Sequence, residues 1–154
     1  MRIVSIVGYS NSGKTTVATA LVAEARGRGL RTAAIKVGHP GHTPPDETQQ
    51  LRKDTDRLTR AGADPTVFRT PQRWVLELTD LEDDRDGPLE LPRWLQEALK
   101  GVDLLVVEGR IVTGATVVQT IGPEGRRKFK DYDMLITDAP ADPLPEALRD
   151  ILTR

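Results

Sequence analysis

A stretch close to the amino terminus combines glycine, lysine and threonine at the spacing of a phosphate-binding loop. Residues 8–15 are Gly-Tyr-Ser-Asn-Ser-Gly-Lys-Thr, which fits the pattern G-x-x-x-x-G-K-[ST]. In that pattern the backbone N–H groups surround the phosphate oxygens. The Lys14 ammonium would bind the β and γ phosphates, and the Thr15 hydroxyl would bind Mg²⁺. The stretch therefore predicts a site for a nucleoside di- or triphosphate, and leaves the base and the reaction open.

The segments on either side are the strand and the helix that such a loop requires. Residues 3–7 are an apolar run typical of a buried strand, and apolar residues recur at helical spacing from residue 14 to about residue 28. Gly8 and Gly13 allow backbone angles that a Cβ would penalise, and the positive end of the helix adds to the field. A chance glycine turn is the alternative interpretation. The residues predicted to bind the nucleotide here are Gly8, Asn11, Ser12, Gly13, Lys14, Thr15 and Thr16.

Two carboxylates that end predicted strands are further candidates. Glu108 follows four consecutive apolar residues, 104–107, a run typical of a strand buried on both faces. P-loop enzymes use an acidic residue there to hold the Mg²⁺ shell or to orient the attacking water; a plain turn glutamate is the alternative. Asp138 ends the strand predicted at 134–140. It could accept hydrogen bonds from the N1 and N2 groups of guanine, or be a simple turn aspartate.

Loops contribute candidates of a less specific kind. Residues 38–45 contain His39 and His42 among prolines and glycines; they could form a lid over the ligand edge of the sheet or, lacking a third ligand in register, a metal pair. The acidic stretch 79–87 could bind a cation or be a solvated loop. A basic cluster is the last candidate of this kind and consists of Arg126, Arg127, Lys128 and Lys130. It could be a plain solvated loop or a contact for an anionic substrate or partner.

Composition limits the function classes. With 154 residues, the chain is most simply one domain spanning 1–154. Because 22 basic residues balance 23 acidic ones, the charge gives no support for a general nucleic-acid binder. The absence of cysteine excludes disulfides and thiolate metal sites. No apolar run is long enough to span a bilayer. The first predicted strand already begins at the N-terminus, so no signal peptide is visible, and a cytoplasmic location is expected.

The order of predicted elements indicates an α/β fold. Strands are predicted at 3–7, 31–37, 66–68, 72–78, 103–109, 115–121 and 134–140, and helices at 14–28, 46–60, 91–99 and 145–152. Strand–helix–strand units of this length give right-handed crossovers and parallel strands. We therefore predict a three-layer P-loop NTPase fold with a mostly parallel central sheet and helices on both faces.

Several of these stretches together resemble one family, the bacterial molybdopterin-guanine dinucleotide biosynthesis protein B (MobB) family. The matching segments are Ser-Asn-Ser-Gly-Lys-Thr-Thr at 10–16, Ile-Lys at 35–36, Lys-Asp-Thr at 53–55, Arg-Leu at 57–58, Ala-Gly-Ala at 61–63, Gln-Arg-Trp at 72–74, Val-Val-Glu-Gly at 106–109 and Thr-Asp at 137–138. The loop at 36–42 departs from the family's Lys-His-x-His-His pattern. As an ordered set these segments are far more specific than the P-loop alone.

The resemblance implies a GTP-binding adapter, usually a homodimer, with weak Mg²⁺-dependent GTPase activity. Proteins like it assist a MobA-like guanylyltransferase that converts molybdopterin to molybdopterin guanine dinucleotide. By position, Lys14 and Glu108 would act on the nucleotide, and Thr15 and Glu108 would hold the metal. Lys36 and His39 would lie in the family's basic loop, and Asp54 would face the nucleotide; these three, with Arg126 and Arg127, are candidates for contacts with substrate or partner.

Two other functions stay open from the residues alone. One is a small-molecule kinase using ATP, which needs an acceptor-holding carboxylate near the γ phosphate, where this chain has Lys36. The other is an interaction module whose P-loop is vestigial. Because no arginine finger is evident, and such a group raises hydrolysis about 10³–10⁵-fold, the chain is expected to be at most a slow GTPase.

Overall fold

A computed structural model gives the fold of the chain. It describes residues 1–38, 57–58, 60–63, 65–69, 71, 74–77, 87–137 and 144–153. The contacts divide the chain into two units, Met1–Gly38 with Asp86–Arg154 and His39–Arg85. In the described residues no helix is both long and apolar enough to cross a membrane.

The first unit is built on a five-stranded sheet. Its strands are β1 (Arg2–Val7), β2 (Thr32–Lys36), β5 (Leu104–Glu108), β6 (Thr116–Ile121) and β7 (Met134–Thr137), and its helices are α1 (Lys14–Gly27), α2 (Arg93–Ala98) and α3 (Glu146–Ile151). The strand order is β2-β5-β1-β6-β7, and every pair is parallel. The strand before the P-loop, β1, therefore lies between the strands that end near Glu108 and Gly122.

Both faces of this sheet are covered, as continuous apolar strands require. Val4, Ile6, Leu104 and Val106 pack against α1 and α3 on one face, with Leu21 and Leu148 among the fully buried side chains. The alternate residues of the same strands, such as Leu105 and Val107, pack on the other face with Leu91 and residues of α2. This period of two places the helices on both sides of the sheet. The predicted three-layer α/β fold is confirmed.

The second unit contains an antiparallel hairpin in its described part. Strand β3 (Thr66–Arg69) pairs with β4 (Trp74–Glu77), with Val67 opposite Leu76. The Arg69 guanidinium lies 5.3 Å from the centre of the Trp74 ring. Both predicted strands of this region are confirmed, with slightly different bounds.

The prediction for α2 was wrong at its start. The apolar spacing from Leu91 onwards predicts a helix over 91–99, whereas the helix begins at Arg93. Pro92 is the extended N-cap, and its ring disfavours the helical region in the preceding residue, so Leu91 lies outside the helix. Leu91 is buried even so. The helix predicted at 46–60 lies almost entirely outside the described residues, as do the loop at 38–45 beyond Gly38 and most of the acidic stretch at 79–87.

Candidate functional site

The sheet brings the candidate residues to one edge. In register, Ile6 of β1 pairs with Glu108 of β5, which also pairs with Lys36 of β2. On the other side of β1, Val7 pairs with Gln119 of β6. Because parallel strands end at the same edge, the P-loop that follows β1 lies between Glu108 and the end of β6.

The P-loop has the backbone angles that its sequence predicts. Gly13 has a φ of 84° at the N-cap of α1, and Asn11 has a φ of 59°, the one non-glycine residue with positive φ among those described. Gly8 also has a positive φ, 154°, and the lack of space around it is a second reason for glycine there. A Cβ at Gly8 would lie 2.5 Å from both the Ser12 Oγ and the Thr120 carbonyl oxygen. The loop is therefore held tightly against β6 at its first residue.

The first turn of α1 presents unpaired amides. The Ser12 N–H donates to the Tyr9 carbonyl at 3.3 Å, and the Val17 N–H donates to the Gly13 carbonyl at 3.0 Å. In the described part of the chain, the N–H groups of Lys14, Thr15 and Thr16 donate to no protein acceptor. Unpaired N–H groups at the positive end of a 14-residue helix form a ready site for phosphate oxygens.

A buried pair of hydroxyls joins the P-loop to strand β6. The Ser12 Oγ and the Thr120 Oγ1 are 2.7 Å apart, and the Thr120 hydroxyl also lies 3.3 Å from the Val7 carbonyl, to which it can donate. Thr120 is 1% exposed and Ser12 4%. The sequence prediction included Ser12 and missed Thr120. The available signal was the polar pair Gln119-Thr120 inside an otherwise apolar strand.

Glu108 is coupled to both neighbouring segments. The Thr15 hydroxyl donates to the Glu108 Oε1 at 2.8 Å, and the Lys36 Nζ lies 3.4 Å from the same oxygen. The Glu108 side chain is only 11% exposed, whereas that of Lys36 is 69% exposed. At the next residue along the chain, a Cβ added to Gly109 would lie 2.7 Å from the Val37 carbonyl oxygen. The turn after Glu108 therefore packs directly on the end of β2.

The donor set at this point suits magnesium. Mg²⁺ prefers oxygen ligands, keeps several of its waters, and is usually held by one or two protein oxygens together with phosphates. A hydroxyl and a carboxylate in contact provide those oxygens. Among the described residues no three histidine, aspartate or glutamate side chains cluster as a metal site.

Lys14 lies over the loop. Its Nζ donates to the Tyr9 carbonyl at 2.6 Å. Burial lowers the pKa of Lys14, and the charges of Lys128 and Lys36 lower it further, while the Glu108 carboxylate acts in the opposite direction. A cation that is partly desolvated beside other cations has a strong preference for an anionic partner.

The remaining candidates are distributed as follows. His39, Asp54 and Asp138 lie outside the described residues. The Arg126 guanidinium pairs with Glu124 and lies 5.2 Å from the centre of the Tyr9 ring, which places it on the P-loop. Arg127 lies 5.9 Å from the centre of the Tyr132 ring. Roles of these residues toward a substrate or partner stay predictions.

The family is decided by comparison with known proteins. The family model "MobB: Molybdopterin guanine dinucleotide synthesis protein B" matches residues 3–120. The chain belongs to the MobB family. The matched range contains the P-loop, Lys36 and Glu108, and ends before the basic cluster and Asp138. The resemblance drawn from the ordered sequence segments is thus confirmed.

Curated MobB relatives are similar over 70% of the chain. A protein of Bacillus subtilis named "Probable molybdopterin-guanine dinucleotide biosynthesis adapter protein" is 36% identical over 108 residues, which cover 70% of this chain and 57% of the relative. An adapter protein of Escherichia coli with the corresponding name is 32% identical over 108 residues, covering 70% and 58%. The match thus spans less than two thirds of the length of these relatives.

Solved MobB structures share the fold. The crystal structure of Bacillus subtilis MobB has a TM-score of 0.59 and 24% identity, over 99% of this chain and 97% of that one. A crystal structure of a molybdopterin-guanine biosynthesis protein B has a TM-score of 0.62 and 26% identity, over 98% of both chains.

Proposed function

We propose that this chain is a GTP-binding adapter that assists the conversion of molybdopterin to molybdopterin guanine dinucleotide. The observation that carries the proposal is the Thr15–Glu108 contact of 2.8 Å beside the unpaired amides of α1, in a chain of the MobB family. Its curated relatives are named as adapters of this biosynthesis. We further propose a weak, Mg²⁺-dependent GTPase activity.

Each residue has a defined part in nucleotide binding. The amides of Lys14, Thr15 and Thr16 would donate hydrogen bonds to phosphate oxygens, and the Lys14 ammonium would exchange the Tyr9 carbonyl for the β and γ phosphates. Magnesium would be held by the Thr15 hydroxyl, with Glu108 orienting the surrounding water, and the ion would neutralise phosphate charge. Asp138 is proposed to bind guanine, which would make GTP the preferred nucleotide over ATP.

The surroundings of Glu108 favour an adapter over a kinase. A kinase requires a carboxylate free to hold or deprotonate an acceptor hydroxyl. The Glu108 Oε1 instead receives a hydrogen bond from Thr15 and an ion pair from Lys36, so this oxygen already has two partners from the protein.

The proposed partners are a MobA-like guanylyltransferase and molybdopterin, and the proposed assembly is a homodimer that acts in the cytoplasm. His39, Asp54, Arg126 and Arg127 are proposed contacts for substrate or partner. The names of the relatives support the biosynthesis in which these partners would act.

Two titrations and one reconstitution test the proposal. Calorimetry with Mg-GTP and Mg-ATP should show a clear preference for GTP; a preference for ATP, or fast turnover with a small acceptor, would favour the kinase. In the reconstitution, the chain is added to the purified guanylyltransferase with molybdopterin and limiting GTP. We expect faster dinucleotide formation, and no stimulation at any GTP concentration would contradict the adapter role.

Replacing Glu108 by glutamine should uncouple nucleotide binding from magnesium. Glutamine keeps an oxygen for the Thr15 hydroxyl but loses the charge, and loss of such supporting groups typically lowers metal affinity about 10–100-fold. We expect the gain in GTP affinity on adding Mg²⁺ to fall by about tenfold, with the affinity in EDTA unchanged or slightly increased. Glu97→Gln is a charge-matched control, because Glu97 is paired with Lys100 on exposed α2. Equal magnesium dependence in both variants would contradict the metal role of Glu108.

A further inference from the structure

The loop between β6 and β7, residues 122–133, is packed against the P-loop at its first residue. A Cβ at Gly122 would lie 3.3 Å from both the Asn11 carbonyl oxygen and the Ser12 Cα. This distance is closer than most Cβ contacts, so the two backbones touch. The β6–β7 loop therefore starts directly on the predicted phosphate site. It also lies beyond the range that the family model matches.

A buried glutamine fixes the middle of this loop. The Gln119 Oε1 accepts hydrogen bonds from the Lys128 N–H at 2.8 Å and the Phe129 N–H at 2.7 Å. Its Nε2 donates to the Phe129 carbonyl at 3.1 Å. Gln119 is 0% exposed and pairs in register with Val7, the last residue before the P-loop. The backbone of Lys128 and Phe129 is thus fixed to β6, beside β1, by three hydrogen bonds with one side chain.

An aromatic contact joins the loop to the P-loop at a second place. The Arg126 guanidinium lies 5.2 Å from the centre of the Tyr9 ring and pairs with Glu124. Tyr9 is the residue whose carbonyl accepts the hydrogen bond from Lys14. The cation–π contact and the ion pair therefore occupy Arg126 inside the loop, next to the phosphate-binding lysine.

These contacts hold Lys128 in a loop that meets the P-loop at two places, at Gly122 and through Arg126 on Tyr9. An ammonium in a loop beside a phosphate-binding site is attracted to the phosphate charge. The Lys128 side chain is exposed, with its Nζ 5.6 Å from the centre of the Phe129 ring, so it can turn toward a ligand at small cost.

We propose that Lys128 is a second cation for the polyphosphate of the bound nucleotide, and that Gln119 is the residue that positions it. The proposal rests on the phosphate site of the proposed function but is independent of the base. It divides the basic cluster by role: Lys128 would bind the phosphates, Arg126 contacts the P-loop through the Tyr9 ring, and Arg127 lies near the Tyr132 ring. Among the described residues, Lys130 forms neither an ion pair nor a cation–π contact, which makes it the matched control.

The test compares Lys128→Met with Lys130→Met and Lys128→Arg. Methionine keeps most of the aliphatic stem and removes the charge. Using a fluorescent GTP analogue in Mg²⁺, with GDP and GMP as competitors, we expect Lys128→Met to raise the Kd for GTP about tenfold and the Kd for GMP less than twofold. Lys128→Arg and Lys130→Met should stay within about twofold of the unmodified chain. Equal losses for Lys128→Met and Lys130→Met, or no loss for either, would overturn the proposal.

The positioning role has its own readout. If Gln119 acts through Lys128, the variant Gln119→Leu should weaken GTP binding, and the double variant with Lys128→Met should bind no more weakly than Lys128→Met alone. Additive losses would mean that Gln119 acts on nucleotide binding by another route. Thermal unfolding of each variant separates these effects from loss of the fold.

Failure of this inference can be told apart from failure of the proposed function. If the unmodified chain prefers ATP, the adapter proposal fails, while the Lys128 comparison can be repeated with ATP and stands or falls on its own. If GTP is preferred but Lys128 is neutral, only this inference fails. If no nucleotide binds, both are overturned.

Discussion

Replacing Lys14 by methionine should weaken GTP binding about 100-fold and leave the fold intact. Hydrogen bonds to charged groups contribute about 1.5–3 kcal/mol, and each 1.4 kcal/mol changes an affinity tenfold. In the protein itself the Lys14 ammonium makes one hydrogen bond, to the Tyr9 carbonyl, so removing it costs little folding free energy. Calorimetric titration with Mg-GTP together with thermal unfolding measures both quantities.

The lowered pKa of Lys14 sharpens this prediction. Because the unfolded chain holds this proton more tightly than the folded one, the charged lysine opposes folding below its folded pKa, and this unfavourable contribution disappears as the pH rises. The variant should therefore unfold at the same temperature or slightly higher at neutral pH. In the unmodified chain GTP affinity should fall at alkaline pH, beginning below the ordinary lysine pKa of 10.5, as the ammonium loses its proton.

Lys100→Met is the control for lost positive charge, since Lys100 follows α2 and has Glu97 as its partner. A vestigial P-loop makes the contrary prediction: the unmodified chain, Lys14→Met and Lys100→Met would all have the same low affinity for GTP. That outcome would favour an interaction module that does not use a nucleotide.

Replacing Gly8 by alanine should abolish measurable GTP binding and also destabilise the fold. The added Cβ would lie 2.5 Å from the Thr120 carbonyl oxygen and from the Ser12 Oγ. The carbonyl belongs to β6 and cannot move without disturbing the sheet, so the loop must move and the Ser12–Thr120 contact of 2.7 Å must break. Overpacking of this kind costs about 1–3 kcal/mol, which corresponds to a fall in Tm of roughly 2–12 °C for a chain of this size.

Gly114→Ala separates crowding from backbone strain. Gly114 has a φ of 75°, and a Cβ added to it would meet no other group within 4 Å, so alanine there costs strain alone, roughly 1–2 kcal/mol. We expect this variant to lose some stability and to bind GTP normally. If Gly8→Ala bound GTP as tightly as Gly114→Ala, the close packing of the P-loop on β6 would not matter for the site.

The sequence alone predicts those parts of the fold and the site whose residues are neighbours along the chain. The P-loop pattern at 8–15, the helix after it and the apolar run ending at Glu108 are local signals, and backbone sterics and side-chain periodicity are enough to place them. The order of the layers could be predicted for the same reason, because apolar runs without alternation require cover on both faces of the sheet.

Contacts between segments that are distant in the sequence could not be predicted from these local patterns. That Lys36 pairs with Glu108, and that Thr120 and Gln119 support the P-loop, depends on the strand order β2-β5-β1-β6-β7. Periodicity gives the direction in which a side chain points but not which strand lies beside it. The basic cluster illustrates the same limit: cations that are close in the sequence have different surroundings in the structure, because the hydrogen bonds of Gln119 and the ring of Tyr9 fix the loop.

A crystal structure of the chain grown with Mg²⁺ and a non-hydrolysable GTP analogue tests nucleotide binding at the P-loop most directly. We predict phosphate oxygens within hydrogen-bond distance of the amides of Lys14, Thr15 and Thr16, and a magnesium ion in contact with the Thr15 hydroxyl. An analogue bound elsewhere, or crystals saturated with it in which the P-loop holds no phosphate, would contradict this central claim.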